Sequence, residues 1–202
     1  HGRIRRQRQM CIRDRQMDYY TEVRHAYFYG ATTIHGEGYD VYCNRGFFDS
    51  NLKKGYFQDR ATVDYNLRNI KGDSIYFDDH IQYAAATRNV QISDTIGNNV
   101  ICGEFGEVFK FKDSAIVTQN PVAIKLVDSD SLYIHADTLL ATGPAENRIL
   151  TGYYGVRIYK TNLSGVSDSI HVDQKSGLIQ LLRYPIGDRE SQLLSASDMT
   201  KR

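Results

Sequence analysis

The sequence has no tryptophan, three prolines, three cysteines, and nowhere a run of apolar residues long enough to span a membrane as a helix. Nor does any segment keep a helical period over the length that a stable helix needs. That last absence says most, because it leaves a chain that is almost wholly β. The cysteines exclude a zinc ribbon or finger: they form no CxxC pair, and no histidines stand at ligand spacing beside them. Cys43 and Cys102 lie in strand-like contexts and read as buried thiols.

What the chain does contain is aromatic residues, 15 Tyr and 8 Phe in 202 residues, within an apolar content of 41%. Such a composition favours strands and suffices for one modest core. The organising stretch is Gly72-Asp73-Ser74-Ile75-Tyr76-Phe77-Asp78. It returns as Asp130-Ser131-Leu132-Tyr133-Ile134-His135-Ala136-Asp137 and again as Asp168-Ser169-Ile170-His171-Val172-Asp173. Each copy has a polar entry, apolar residues at every second position and a closing Asp, the pattern of a strand with one buried face. Three copies mark an architectural unit, since a catalytic motif would normally occur once. Val156-Arg157-Ile158-Tyr159 resembles Val90-Gln91-Ile92-Ser93 at a spacing of 66 residues, which a larger repeat of several strands would explain.

Short strands and tight turns account for the rest. Thr32 to Ile34 and Tyr39 to Cys43 read as strands around Gly36-Glu37-Gly38, Asn44-Arg45-Gly46 as a turn, and Gly97-Asn98-Asn99 as a hairpin turn. Ile81 to Ala86, despite its alanines, is too short for a stable helix and reads as strand. Alternation assigns an inward set: Ile75, Phe77, Val90, Ile92, Phe109, Phe111, Val122, Ile124, Leu132, Ile134, Val156, Ile158, Ile170 and Val172. By residue type alone these fourteen suit a packed core and a lipid-binding groove equally.

The first sixteen residues differ from everything after them. They hold six arginines against one acid, which taken alone suggests a basic arm for nucleic acid. However, Met10-Cys11-Ile12-Arg13-Asp14-Arg15 reads as the translation of a transposase adapter used in sequencing libraries, so residues 1–16 are set aside as an artefactual, disordered leader of a fragment. Without them 19 bases face 23 acids, a net charge of −4, and no nucleic-acid partner is expected. The β domain is expected over residues 17–190, with 191–202 a truncated or frayed tail and any signal peptide missing from the fragment.

No catalytic site emerges. Asp78 and Asp79 could serve as an acid–base pair, yet they sit where a strand ends and Asp is favoured for bonding nearby amides. Calcium at Asp128 and Asp130 lacks a Gly-centred ligand loop. His135 and His171 fall on outward positions, and Ser74, Ser131 and Ser169 have neither a base nor an oxyanion site. No metal and no cofactor is expected.

The order and spacing of His25-Ala26-Tyr27-Phe28-Tyr29-Gly30, Gly46-Phe47-Phe48-Asp49, Gly72 to Asp78, Asn89 to Asp94, Asp130 to Asp137 and Val156 to Lys160 resemble the OstA-like family, the periplasmic lipopolysaccharide-transport proteins of the LptA type. The resemblance runs from about Val23 to Leu182. It implies an all-β, folded-over antiparallel sheet, a β-jellyroll or taco, whose interior carries the acyl chains of lipopolysaccharide across the periplasm to the outer membrane. It also implies stacking end to end, with further copies or with other bridge proteins, by strand addition, and no enzymatic activity. The fourteen inward residues then become candidates for the groove lining. The alternative is a structural β-solenoid or envelope adhesion module with a filled core and no ligand.

Overall fold

The computed structural model describes residues 11–13, 16–65, 67–94, 99–127, 130–183 and 193–195. Most of the arginine-rich leader, the tail on either side of residues 193–195, Gly97, Asn98 and Asp128 lie outside the described residues.

The chain runs back and forth in antiparallel passes, each hydrogen-bonded to the next. The first pass holds β1 (Cys11–Arg13) and β2 (Met17–Tyr20), the second β3 (His25–Phe28) and β4 (Thr32–Gly36), the third β5 (Tyr39–Cys43) and β6 (Arg45–Asp49). Long single strands follow: β7 (Lys54–Tyr65), β8 (Arg68–Asp78), β9 (Tyr83–Asp94) and β10 (Asn99–Phe109). Two passes are again split, into β11 (Ser114–Thr118) with β12 (Val122–Val127) and β13 (Asp130–His135) with β14 (Thr138–Thr142). After a 3-10 turn at Ala145–Asn147 come β15 (Ile149–Lys160), β16 (Leu163–Asp173), β17 (Ile179–Leu182) and β18 (Leu193–Ser195).

Every pass bends at its middle, and the bends line up into a crease. Asn44 is a bend, not the turn expected there: β5 and β6 both pair with β7, and the Asn44 amide donates to the carbonyls of Gln58 and Asp59 across the crease. On alternate passes the crease is a doublet of left-handed residues, Asp59-Arg60, Arg88-Asn89, Gln119-Asn120 and Tyr154-Gly155, spaced 29, 31 and 35 residues apart. The register slips opposite these doublets, as in a β-bulge, and each doublet turns the strand. Left-handed backbone is costly for residues with a Cβ, and at Asn89 the side-chain amide compensates by donating to both Asp73 carboxylate oxygens at 3.1 and 3.0 Å. The 66-residue likeness now has a cause: Val90 and Val156 each directly follow a doublet, four passes apart.

The crease divides the sheet into two half-sheets. One ends in turns of four to six residues, around positions 50–53, 79–82, 110–113, 143–148 and 174–178; the other ends in mostly two-residue turns such as 37–38 and 161–162. The long turns stack, with the Asp79 amide donating to the Lys53 carbonyl and the Lys110 amide to the Gln82 carbonyl. Three aspartates close strands at this edge by accepting amide hydrogen bonds two and three residues on: Asp49 from Asn51 and Leu52, Asp78 from His80 and Ile81, Asp173 from Lys175 and Ser176. Those bonds hold the Asp49 and Asp173 carboxyls below the usual carboxylate range; the largest cause is the Leu52 amide at Asp49 and the Ser176 hydroxyl at Asp173. The repeated motif is therefore two things. Its first and third copies run from the crease to the long-turn edge, whereas the second runs from the short-turn edge up to the crease, where Asp137 lies.

Candidate functional site

The two half-sheets face each other across an apolar interior. On the short-turn side an inward row of directly opposed residues crosses ten passes: Ile34, Val41, Val63, Ile70, Ile92, Ile101, Ala123, Ile134, Ile158 and Gly165. Ile12 stands opposite Ile34 at its start, so Cys11–Arg13, set aside on sequence, here extends the sheet. On the long-turn side two rows run in parallel. One is Phe28, Gly46, Phe57, Ile75, Ala86, Gly106, Val117, Leu139, Gly152 and Ile170; the other, nearer the edge, is Ala26, Phe48, Gly55, Phe77, Ala84, Val108, Ala115, Ala141, Leu150 and Val172.

These rows change character along the molecule. Up to β8 the interior is filled by Phe28, Phe48, Phe57 and Phe77, all essentially inaccessible to solvent, with glycine between them to make room. A Cβ on Gly55 would stand 2.3 Å from the Phe47 carbonyl oxygen and 3.0 Å from the Phe57 ring. Beyond β8 the long-turn rows carry no phenylalanine; alanine, glycine and valine alternate there with Leu139, Leu150 and Ile170, and a cleft opens between the half-sheets. Ile92, Ile101, Ala123 and Ile134 line one wall, and Ala115, Ala141, Leu150 and Val172 the other. Its water-accessible volume is about 40 Å³, room for little more than one water.

Where the two edges meet, the seam is closed by three kinds of contact in succession. Among the aromatics, Tyr39 and Tyr65 of the short-turn edge pack on Phe77 with ring centroids 4.7 and 5.5 Å away. Burial, assisted by the Asp79 charge, pushes the Tyr39 hydroxyl up to about 12 and raises Tyr65 further. Next comes a buried ionic clasp. Asp94 accepts from Arg68 Nε at 3.2 Å and, as a fork, from Arg148 Nη2 and Nε at 2.9 and 3.0 Å. Both guanidinium groups also donate to the backbone carbonyl of Asp113, at 3.1 and 3.2 Å, and approach its carboxylate at 3.2 Å; Arg148 Nη1 donates besides to the Gly143 carbonyl. Arg68 and Asp94 belong to the short-turn edge, Asp113 and Arg148 to the long-turn edge, so the clasp ties the two halves together. Desolvation, with the neighbouring Arg148 cation, lowers Arg68 below the ordinary arginine value. Third, Asn99 Nδ2 donates to Gln174 Oε1 at 3.0 Å.

Of the fourteen residues expected inward, ten are buried there: Ile75, Phe77, Val90, Ile92, Leu132, Ile134, Val156, Ile158, Ile170 and Val172. The other four correct the alternation reading. Phe109 lies on the outer face, its ring 5.2 Å from Tyr83, and Val108 is the inward residue. The strand ends at Phe109, so Phe111 belongs to the following turn and is 89% exposed. Val122 and Ile124 are only half-buried, because the opposition of Ala123 to Ile134 fixes the parity of β12 the other way. Ile124 still borders the cleft. In Val-Ala-Ile both parities are apolar, so the pattern alone could not choose. The clasp was missed altogether, for its members are 19 to 80 residues apart in a chain where Arg and Asp are common. The signal was there in Arg68 and Asp94, charged residues on the inward parity of half-strands whose other inward residues, Ile70 and Ile92, are aliphatic.

Among the other candidates, Asp78 caps a turn and accepts from Tyr76, and Asp130 accepts from the Ser131 and Thr161 amides. His135 is half-buried and His171 stands on the outer face opposite Thr151 and Gln180. Among the described residues no group of three His, Cys, Asp or Glu is placed to hold a metal. Cys43 and Cys102 form no disulfide, and burial raises the Cys102 thiol.

No protein-family profile and no curated protein matches the sequence. Among solved structures, the chain is similar to LptH from Pseudomonas aeruginosa, described as the LptA-homologous periplasmic component of a conserved lipopolysaccharide transport device. The match has a TM-score of 0.52 at 11% identity, and covers 64% of this chain and 93% of that one. At such low identity the likeness speaks to architecture, and there it agrees with the strand order and crease: the protein has the folded-over antiparallel β-sheet of LptA-type proteins.

Proposed function

We propose that the protein is a non-enzymatic lipid carrier of the periplasm, holding the acyl chains of lipopolysaccharide between its half-sheets on the way to the outer membrane. The observation that carries this reading is the cleft beyond β8. Its two walls are aliphatic, it borders the seam, and the strands around it carry alanine, glycine and aliphatic residues where those before it carry phenylalanine. Each methylene moved from water into such an interior gains about 0.8 kcal/mol. The chain needs no catalytic group for this work. Bridge partners, whether further copies or other transport proteins, would join by strand addition at the ends of the sheet.

Native mass spectrometry of the protein with lipopolysaccharide, and separately with the same glycan stripped of its acyl chains, tests the reading. Binding of the acylated form alone is expected, and its loss in Ile134→Asp with the sheet retained. A second reading has its own support: the narrowness of the cleft and the phenylalanines before it also suit a structural module with a filled core. Folded protein that captures neither molecule would establish that alternative.

A further inference from the structure

The clasp stands at the mouth of the cleft, and its two halves are unequal. Arg68, Arg148 and Asp94 have side chains only 6, 5 and 9% exposed, whereas the Asp113 carboxylate is 49% exposed. Two buried guanidinium groups thus share one permanent carboxylate and one that reaches in from the turn at 110–113. Releasing the Asp113 carboxylate to water costs little, because it is already half solvated and Asp94 and the Asp113 backbone carbonyl still hold both arginines, but it leaves two cations facing one carboxylate, an imbalance that favours an incoming anion. Lys125 and Asn99 stand on the same rim, and the wall directly beneath is Ile92, Ile101, Ala123 and Ile134. At rest the cleft is too narrow for a hydrocarbon chain, and the clasp, with the Asn99–Gln174 bond beside it, ties its edges together. An arriving anion that displaces the Asp113 carboxylate therefore satisfies the arginines and removes one tie across the mouth, while Asp94 keeps its hold on Arg148.

Resting on the carrier reading above, we propose that Arg68 and Arg148 are the headgroup anchor of the site, that the ligand is an amphiphile with a phosphate head, and that the head enters by exchanging with the Asp113 carboxylate. Phosphate suits the place because Arg68 Nη2 and Arg148 Nη1, the donors that hold the Asp113 carboxylate, can each donate to a phosphate oxygen while the Arg148 Nε and Nη2 fork stays on Asp94. The chain behind the head occupies only the cleft beyond β8, because the phenylalanines of β3, β6, β7 and β8 close the interior on the other side.

Binding to the full chain is measured for three probes below their micellar concentrations: tetradecyl phosphate, tetradecyltrimethylammonium and inorganic phosphate. The phosphate amphiphile is expected to bind at least about tenfold more tightly than either other probe. Asp113→Ala, which removes the competitor and no buried group, should tighten tetradecyl phosphate about tenfold. Arg148→Gln, where it folds, should abolish the preference between heads. Equal binding of both amphiphiles, or no gain in Asp113→Ala, overturns the anchor while leaving the carrier reading intact. Inorganic phosphate binding as well as the amphiphile overturns the amphiphile and leaves a plain anion site. If no probe binds folded protein, the anchor and the carrier reading fall together.

Discussion

Removing the charge of Asp94 by Asp94→Asn should be among the most damaging single changes in the protein, and far worse than Asp113→Asn. Asp94 is the hub of the clasp, with Arg148 Nη2 at 2.9 Å and Arg68 Nε at 3.2 Å. At an effective dielectric of about 20 a charge pair at that separation attracts by about 6 kcal/mol before desolvation is subtracted. Desolvation of the carboxylate offsets much of this in the native protein, but the arginines remain buried after the substitution and then repel each other. Breaking one partner out of such a buried set typically costs about 3–5 kcal/mol. For a chain of this size that corresponds to a fall of about 10 °C in Tm. Asp113→Asn, by contrast, acts on a carboxylate 49% exposed, and the backbone carbonyl that accepts from both arginines is untouched, so its cost should stay below about 1 kcal/mol. Urea unfolding of the two variants beside the parent, followed by circular dichroism, gives the comparison directly. Equal losses in the two variants would refute the reasoning, because burial and the number of guanidinium bonds that depend on the carboxylate both separate them.

Alkali should unfold the protein through its seam. The Tyr39 hydroxyl is raised to about 12, so the neutral form is favoured by folding: this contribution, about 3 kcal/mol, is complete below pH 10 and disappears as pH rises toward 12. Tyr39→Phe combined with Tyr65→Phe should flatten the loss of stability between pH 10 and 12, and an unchanged alkaline limb would contradict the assignment. Phe77→Ala, at a fully buried ring in contact with both tyrosines, should cost about 3–5 kcal/mol by urea unfolding, whereas Phe111→Ala, in an exposed turn, should cost nothing measurable. Gly55→Ala places a Cβ against backbone as well as two phenyl rings and should destabilise visibly, unlike Gly177→Ser, where a side chain would meet nothing within 4 Å and only the left-handed φ opposes it.

Most of the fold was legible because strand alternation is a local property. Ile75 and Phe77, Leu132 and Ile134, and Ile170 and Val172 are buried as their spacing requires, and the resemblance assembled them into the right folded-over sheet. What escaped was whatever depended on the crease. Beyond a left-handed doublet such as Gln119-Asn120 only the pairing fixes which residues face inward: Val122, Ala123 and Ile124 are all apolar, and the opposition of Ala123 to Ile134 makes Ala123 the inward one. The same doublets conceal that Gly72 to Asp78 and Asp130 to Asp137, so alike in composition, run between different landmarks. The seam escaped for another reason: Arg68 and Arg148 meet only once the two half-sheets close, and nothing local to either announces its partner.

Each pass hydrogen-bonds only to the one before and the one after, so the sheet itself is a structure of near neighbours, unusually local for an all-β protein. It can grow hairpin by hairpin as chain becomes available, in the manner of a zipper. The clasp obeys a different clock. It joins β8 and β9 to a turn and a strand start that follow later in the chain, so it can close only after β15 has begun to form. Fastening the seam is therefore a separate and later act, made by side chains that no hairpin of the sheet needs for its own pairing.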